Sequence, residues 1–313
     1  FTQKQSAVRC VKDILSHIGF SEALTYSFID AESARQFQPA FSSVSEVEPI
    51  SLTNPISAEM GTMRPSLVPG LIQSVVRNLG KGQKQVKIFE FGTVFMRSKQ
   101  GEREEKTVLA ALATGTYENS VWKQTGKSYD YFDLRGVLDS VAGQMKLGLM
   151  ERPVSSKPYM LLGKSVELLA GDQVCGYFGE LSPGVVRQYE LPKHCVVFEL
   201  DFDKLVDALP KTVRFVPLPK FPETYRDISI LIDKKVASGE VSARISQTGE
   251  PLLRKVELYD HFDGKKIQEG KKSLTYALTF QSADRTLTDD EVNPVFAKIV
   301  ETLSRQLGAT LRE

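Results

Sequence analysis

Apolar and polar residues alternate in two stretches of the C-terminal third. Ile228, Ile230 and Ile232 are interleaved with Ser229, Leu231 and Asp233; Leu274, Tyr276, Leu278 and Phe280 are interleaved with Thr275, Ala277 and Thr279. A period of two predicts strands with one buried face. Between them, Val256 and Leu258 mark another strand pointing inward, and Val241 and Ile245 lie at helical spacing between a Ser238 cap and a Gly249 stop. Val295, Phe296, Ile299, Leu303 and Leu307 then repeat as a helical stripe up to Gly308. The start of that last helix is ambiguous. Thr288 and Glu291 form a capping box, which puts Pro294 inside the helix, whereas Asn293-Pro294 offers a later start. A kink or a short preceding turn is expected. The order over 219–313 is strand, helix, strand, strand, helix, strand.

Upstream, Thr2 and Gln5 form a capping box ahead of a stripe of Val8, Val11, Ile14, Leu15 and Ile18, which Gly19 ends. A strand is expected over Ala23–Phe28, then a short helix capped by Asp30, then a polar loop from Gln38 to Val47. Pro69 sits near the start of a helix carrying Leu71, Ile72, Val75, Val76 and Leu79. KIFEFGTVF and VLAALATG read as paired strands around a solvated turn, Ser98–Lys106. A helix spans 130–147, and VELLA, VCGYFGEL and CVVFELDF are strands with a turn near Asp172. The prolines at 210, 217, 219 and 222 stiffen a linker, placed at 211–218 between domains at 1–210 and 219–313.

Composition narrows the function classes only slightly. The 313 residues are 41% hydrophobic and 25% charged, ordinary for globular protein, and the net charge is +1. Residues 219–313 balance fifteen bases with fifteen acids, so bulk charge does not argue for nucleic acid. Cys10, Cys175 and Cys195 are odd in number and lack ligand spacing, which favours free thiols over disulfides or zinc. No run is long enough to span a membrane, and a cytoplasmic location is expected. The chain opens on Phe1 and reads as a piece of something longer. The three histidines share no motif with a Ser or Cys nucleophile, and there is no P-loop, GxSxG or GxGxxG. Glu90, in an apolar strand, is either a shifted acid or half of an ion pair with an arginine.

Two sets of segments then stand out in order. GFSEALTYSF, NPISAEMGTMRPSLVPGLIQSVVRN, KIFEFGTVF, YFDLRGVLDSV and GEL at 179–181 precede FPETYRDISILID, LYDHFDGKKI, GKKSLTYALTF, DRTLTDDEV and LGATLRE. Together they resemble the C-terminal part of the beta subunit of bacterial phenylalanine–tRNA synthetase, over nearly the whole chain. The resemblance implies an α+β chain: a class II synthetase-like antiparallel sheet with helices, without the reaction, then a ferredoxin-like βαββαβ anticodon-binding domain. It implies an alpha-subunit partner in an alpha2beta2 assembly and tRNA(Phe). ATP and Mg2+ belong to the holoenzyme, with no cofactor or metal bound by these residues. The helices at 3–18 and 69–80 are candidates for the alpha-subunit interface or are ordinary core helices. The arginines that a working class II site needs are missing: KIFEFGTVF has Phe89 and Glu90, Arg103 and Glu105 fall in a polar turn, and Glu180 and Pro183 interrupt the run that ends in Arg187.

By the same resemblance the anticodon contacts fall at Asp260 and Phe262 in LYDHF, Ser273 in GKKS and Ser229 in RDIS. Phe262 would stack on a base, Asp260 would accept from a base edge, and the serines would make short polar contacts. The usual order of tyrosine and phenylalanine is exchanged here, and His261 intervenes. Strand parity points Tyr259 rather than Phe262 at the open face unless the strand bulges near Asp260. Core packing is the competing reading for both rings. Arg226 and Arg285 read as ion-pair partners of Asp227 and Asp284. Two other functions stay open: a ferredoxin-like amino-acid sensor, for which KKVASGEV offers a single glycine, and a non-catalytic tRNA-binding module. A free-standing class II ligase is disfavoured by the missing arginines.

Overall fold

The computed structural model describes the chain except residues 39–46, 99–100, 117–125, 155–156, 158, 211, 213–214, 216, 265–266 and 313. Most of the expected loop at 38–47, half of the expected linker, and Lys265 and Lys266 therefore lie outside the described residues. The chain divides into two compact units, Phe1–Val213 and Arg214–Glu313.

The larger unit contains α1 (Gln3–His17), β1 (Ser21–Glu22), β2 (Phe28–Ile29), α2 (Ala31–Gln36), β3 (Val47–Glu48), β4 (Thr62–Met63), α3 (Val68–Gly80), β5 (Gln85–Ser98) and β6 (Arg103–Gly115). It continues with α4 (Tyr131–Met145), β7 (Leu149–Pro153), β8 (Met160–Ala170), β9 (Gln173–Leu181), α5 (Pro183–Gln188), β10 (Cys195–Asp201) and α6 (Phe202–Asp207). Its main sheet runs β1-β5-β6-β10-β9-β8-β7, with β3 also on β5. Every pairing in that sheet is antiparallel except β1 with β5. Two cores flank the sheet. One packs α1, α4 and α6 against Phe89, Phe178 and Phe198; the other packs α3 against Val86, Leu112 and Val197.

The stripes of α1 and α3 are part of these cores: Val11 and Leu15 on α1, and Leu71, Ile72 and Val75 on α3, are buried. That is the core-helix reading for these residues, while Val76 of the α3 stripe is 39% exposed. Thr2 and Gln5 close the expected capping box, and Asp30 accepts from the Ser33 amide. Of the expected strand over 23–28 only Phe28 lies in a strand, β2, and residues 23–27 are an irregular segment between β1 and β2. Its Thr25 is drawn off the sheet by Glu90, which accepts from the Thr25 hydroxyl at 2.8 Å. The expected turn at 98–106 is shorter, because β5 extends to Ser98 and β6 starts at Arg103.

Two buried carboxylates organise this unit. Glu90 pairs with Arg64 at 2.8 Å, both almost without solvent exposure, which is the structural reading of Glu90. Glu199 is fully buried and accepts from Ser66 Oγ, the Leu67 amide and the Tyr177 hydroxyl, the last at 2.6 Å. Burial holds the Glu199 carboxyl above its ordinary 4.5, although these bonds and nearby Lys157 oppose the shift. Because its folded pKa is raised, the stability contributed by Glu199 is fully present below 4.5 and is lost as pH rises through the raised value. Glu199→Gln removes this one titration. The stability difference, wild type minus variant, is expected to grow as pH falls from about 7 to about 5. Urea midpoints at the two pH values check it, and a constant difference refutes it. Burial also pushes the Cys175 thiol up to about 11 and Cys195 up to about 12, so neither is a ready nucleophile.

The smaller unit contains β11 (Thr224–Asp233), α7 (Ser238–Gly249), β12 (Leu253–Phe262), β13 (Lys271–Phe280), α8 (Asp289–Leu307) and β14 (Thr310–Leu311). Its sheet order is β12-β13-β11-β14, wholly antiparallel. The predicted βαββαβ order and α+β class are thus present. Both helices cover one face, where Ile228, Ile230, Ile232, Leu274, Tyr276, Leu278 and Phe280 meet Val241, Ile245, Ile299 and Leu303. The Thr288–Glu291 box starts α8, and the helix runs unbroken through Pro294 with no separate first turn. Ser238 is the first helical residue of α7 rather than its cap, a position held by Ala237 without a side-chain bond.

Candidate nucleic-acid interface

The face of the small sheet opposite α7 and α8 is built by register. Directly opposed residues of antiparallel strands project to the same side. Ser229 opposes Thr275, which opposes Asp260; Leu231 opposes Ser273, which opposes Phe262. Ser229, Asp260, Phe262 and Ser273 therefore fall in two neighbouring cross-strand rows, a patch of about 10 Å by 7 Å from strand and residue spacing.

A bulge makes this possible. The register of β12 on β13 shifts between Leu258 and Asp260, leaving Tyr259 as the extra residue. Leu258 opposes Tyr276 on the helix side, and without the bulge Asp260 would follow it there. With it, Asp260 and Phe262 turn to the open side, as the sequence allowed. Tyr259 is on that side too: it is 59% exposed, and desolvation together with the Asp227 and Asp260 carboxylates raises its phenol. Neither ring belongs to the hydrophobic core, so core packing is corrected for both. Phe262 is 39% exposed, and its ring lies over Gly264, where an added Cβ would sit 2.6 Å from Cζ. Glycine at 264 lets the turn pass beneath the ring.

The polar members are less open than the sequence suggested. Ser273 is 2% exposed, and its Oγ accepts from Arg312 Nη1 at 3.1 Å. The Ser229 and Thr275 hydroxyls share a hydrogen bond of 3.0 Å. Arg312, held to the sheet by its amide on the Ser229 carbonyl at 2.9 Å, was not anticipated. It follows directly on β14, whose two residues are too few for a periodicity signal. Thr275 was legible as an outward position of its strand but was not singled out. Lys271 and Lys272 begin β13 opposite Asp233 and Ile232. Arg226 pairs with Asp289 and Arg285 with Glu291, not with the acids beside them in sequence, because α8 presents its acidic first turn to both.

Within Lys87–Phe95 the acid is Glu90, committed to Arg64 and Thr25. No group of three or more His, Cys, Asp or Glu that could hold a metal occurs among the described residues. No helix of the described residues is long and apolar enough to cross a membrane. The buried guanidinium of Arg64 is neutralised by Glu90, and both oxygens of Glu199 are already bonded.

Residues 1–202 match the profile of the phenylalanyl-tRNA synthetase beta chain CLM domain. The chain belongs to the phenylalanyl-tRNA synthetase beta-chain family. Residues 219–312 match the ferredoxin-fold anticodon binding domain. The phenylalanine–tRNA ligase beta subunit of Methylococcus capsulatus is 35% identical over 305 residues, 97% of this chain and 37% of that protein. That of Geobacillus kaustophilus is 31% identical over 313 residues, 99% of this chain and 38% of that protein. The chain thus spans less than two fifths of these beta-chain relatives. Among solved structures, a pyrrolysyl-tRNA synthetase from Desulfitobacterium hafniense covers 64% of this chain and 65% of its own at 18% identity and a TM-score of 0.46.

Proposed function

We propose that this chain is the C-terminal portion of a phenylalanine–tRNA ligase beta subunit. In this reading it supports an alpha subunit, in an alpha2beta2 assembly in the cytoplasm, and binds the anticodon of tRNA(Phe). Aminoacylation with ATP and Mg2+ takes place on the alpha subunit. The observation that carries the RNA reading is the open face: Asp260, Phe262, Ser229 and Ser273 in adjoining rows, with exposed rings beside hydroxyls and a carboxylate. Unstacked bases lie on such rings, and their edges are read by short polar groups. Phe262 is the stacking residue, Tyr259 the alternative, and Asp260 the base-edge acceptor.

For the partner, the exposed apolar side chains Leu24, Tyr26 and Ile56 are better placed than the buried stripes of α1 and α3. Leu24 and Tyr26 line a hollow of about 300 Å3 together with Phe28, Met60 and Arg77. Patches of this kind mark protein contacts.

Calorimetry on the chain with an anticodon stem-loop of tRNA(Phe), a scrambled-loop control and free amino acids tests the reading. Binding of the cognate loop above the control, without tight amino-acid binding, is expected; tight amino-acid binding with no RNA binding would support the sensor. The chain alone is also expected to give no phenylalanine-dependent pyrophosphate exchange with ATP and Mg2+, and exchange well above background would refute a non-catalytic portion.

A further inference from the structure

β8 and β9 are paired at Met160 with Leu181 and again at Ser165 with Gly179. Four residues of β8 therefore stand opposite Glu180 alone. Gly179 permits the crossing: its φ is +156°, and a Cβ would lie 2.4 Å from both the Lys164 carbonyl oxygen and Ser165 Oγ. A wide bulge of this kind interrupts the ladder and re-aims side chains. Here it exposes Leu162 and swings Lys164 onto Glu180, with Nζ to Oε1 at 2.8 Å. Glu180 is 4% exposed, and its other oxygen faces His194 Nδ1 at 3.5 Å.

The bulge opens a groove of about 450 Å3 between the sheet end and α5. Leu161, Leu181, Val186 and Leu191 form apolar walls, and Arg187 and Lys193 stand with Lys164 and His194 around them. The carboxylate within is buried and already held by Lys164. Arg187 and Lys193 are exposed and have no ion-pair or hydrogen-bond partner among the described residues. Glu190, the acid nearest to them in sequence, does not line the groove. The uncompensated charge is thus positive, at the mouth of an apolar hollow whose size suits a small molecule.

We propose that this groove binds a small amphipathic anion, a carboxylate or phosphate carried on an apolar body. The apolar body packs between Leu181, Val186 and Leu191, and the anionic group meets Arg187 and Lys193. Arginine suits either anion because its planar fork can bond two oxygens at once. The site is independent of the open face of the smaller unit.

The test titrates the 15N-labelled 313-residue chain with hexanoate and with hexyl phosphate, using 1-hexanol as the uncharged control. The amides of Leu181, Val186 and Lys193 are expected to shift saturably with at least one anion and at least about tenfold more weakly with the alcohol. The double variant Arg187→Gln, Lys193→Gln removes two exposed, unpartnered charges. It should keep the dispersed spectrum of the folded chain and lose about tenfold or more in affinity. Equal binding of hexanol, unchanged affinity in the double variant, shifts scattered away from the groove, or no saturation up to about 10 mM would each overturn the proposal.

Discussion

Arg64→Ala is expected to destabilise the larger unit by about 3–5 kcal/mol, the range for removing one partner of a buried ion pair. The guanidinium is 6% exposed and the Glu90 carboxylate 2%. Arg64 also donates to the Thr93 carbonyl at 3.0 Å and to Thr25 Oγ1 at 2.9 Å, tying β5 to the irregular segment after β1. Alanine leaves a buried carboxylate with Thr25 as its remaining partner, together with a cavity. The pair itself need not stabilise the fold relative to an apolar replacement, since desolvating two charges offsets much of their attraction. The double variant Arg64→Met, Glu90→Leu should therefore recover a large part of the loss, although Thr25 then loses its acceptor. Urea denaturation of wild type, both single variants and the double completes the cycle. A loss below about 1 kcal/mol for Arg64→Ala would mean that water reaches Glu90 and that the pair is not a buried one.

Elements were legible where a local rule and the tertiary environment agree. The alternation at 228–233 and 273–280 gave both strands, because one face of the small sheet is covered by helices and the other is not. Thr2 with Gln5, and Thr288 with Glu291, gave helix starts through bonds confined to four residues. The start of α8 shows the limit. The capping box and Pro294 argued for different starts, and the helix keeps both, since the cap fixes the first turn and Val292, Ile299 and Leu303 are buried beyond it. Non-local causes were not legible. Nothing within 23–28 says that Glu90, some sixty-five residues away, will take the Thr25 hydroxyl. Parity of β12 could state the alternatives for Tyr259 and Phe262 but could not choose between them, because a bulge is decided by the partner strand. A last strand was legible, but that Arg312, one residue past β14, would reach Ser273 on β13 was not.

That bulge sets the terms of the strongest functional prediction. Phe262→Ala is expected to weaken binding of tRNA(Phe) by the full assembly by about 1–3 kcal/mol, roughly 5- to 150-fold, the range for losing one base stack. The ring stands in the row with Ser273, lies outside the hydrophobic core and rests on Gly264. Its removal should therefore change the unfolding free energy by less than about 1 kcal/mol. Phe262→Tyr restores the ring face and should bind within a fewfold of wild type. Tyr259→Ala gives the contrast: its ring is the more exposed and its phenol is drawn to Asp227, so a smaller loss of affinity is expected. Asp260→Asn separates reading from stacking. It should lower discrimination at one anticodon position more than it lowers affinity for a loop changed there, because a carboxylate accepts but cannot donate, whereas an amide can do either. Filter binding against the cognate stem-loop and its single-base variants, run beside thermal melts, measures all four. If Phe262→Ala costs as much in thermal stability as in affinity, the ring supports the sheet instead of the RNA. If Tyr259→Ala costs more affinity than Phe262→Ala, the stack belongs to the bulge residue, and the row of Phe262, Ser273 and Leu231 is not the floor on which the base lies.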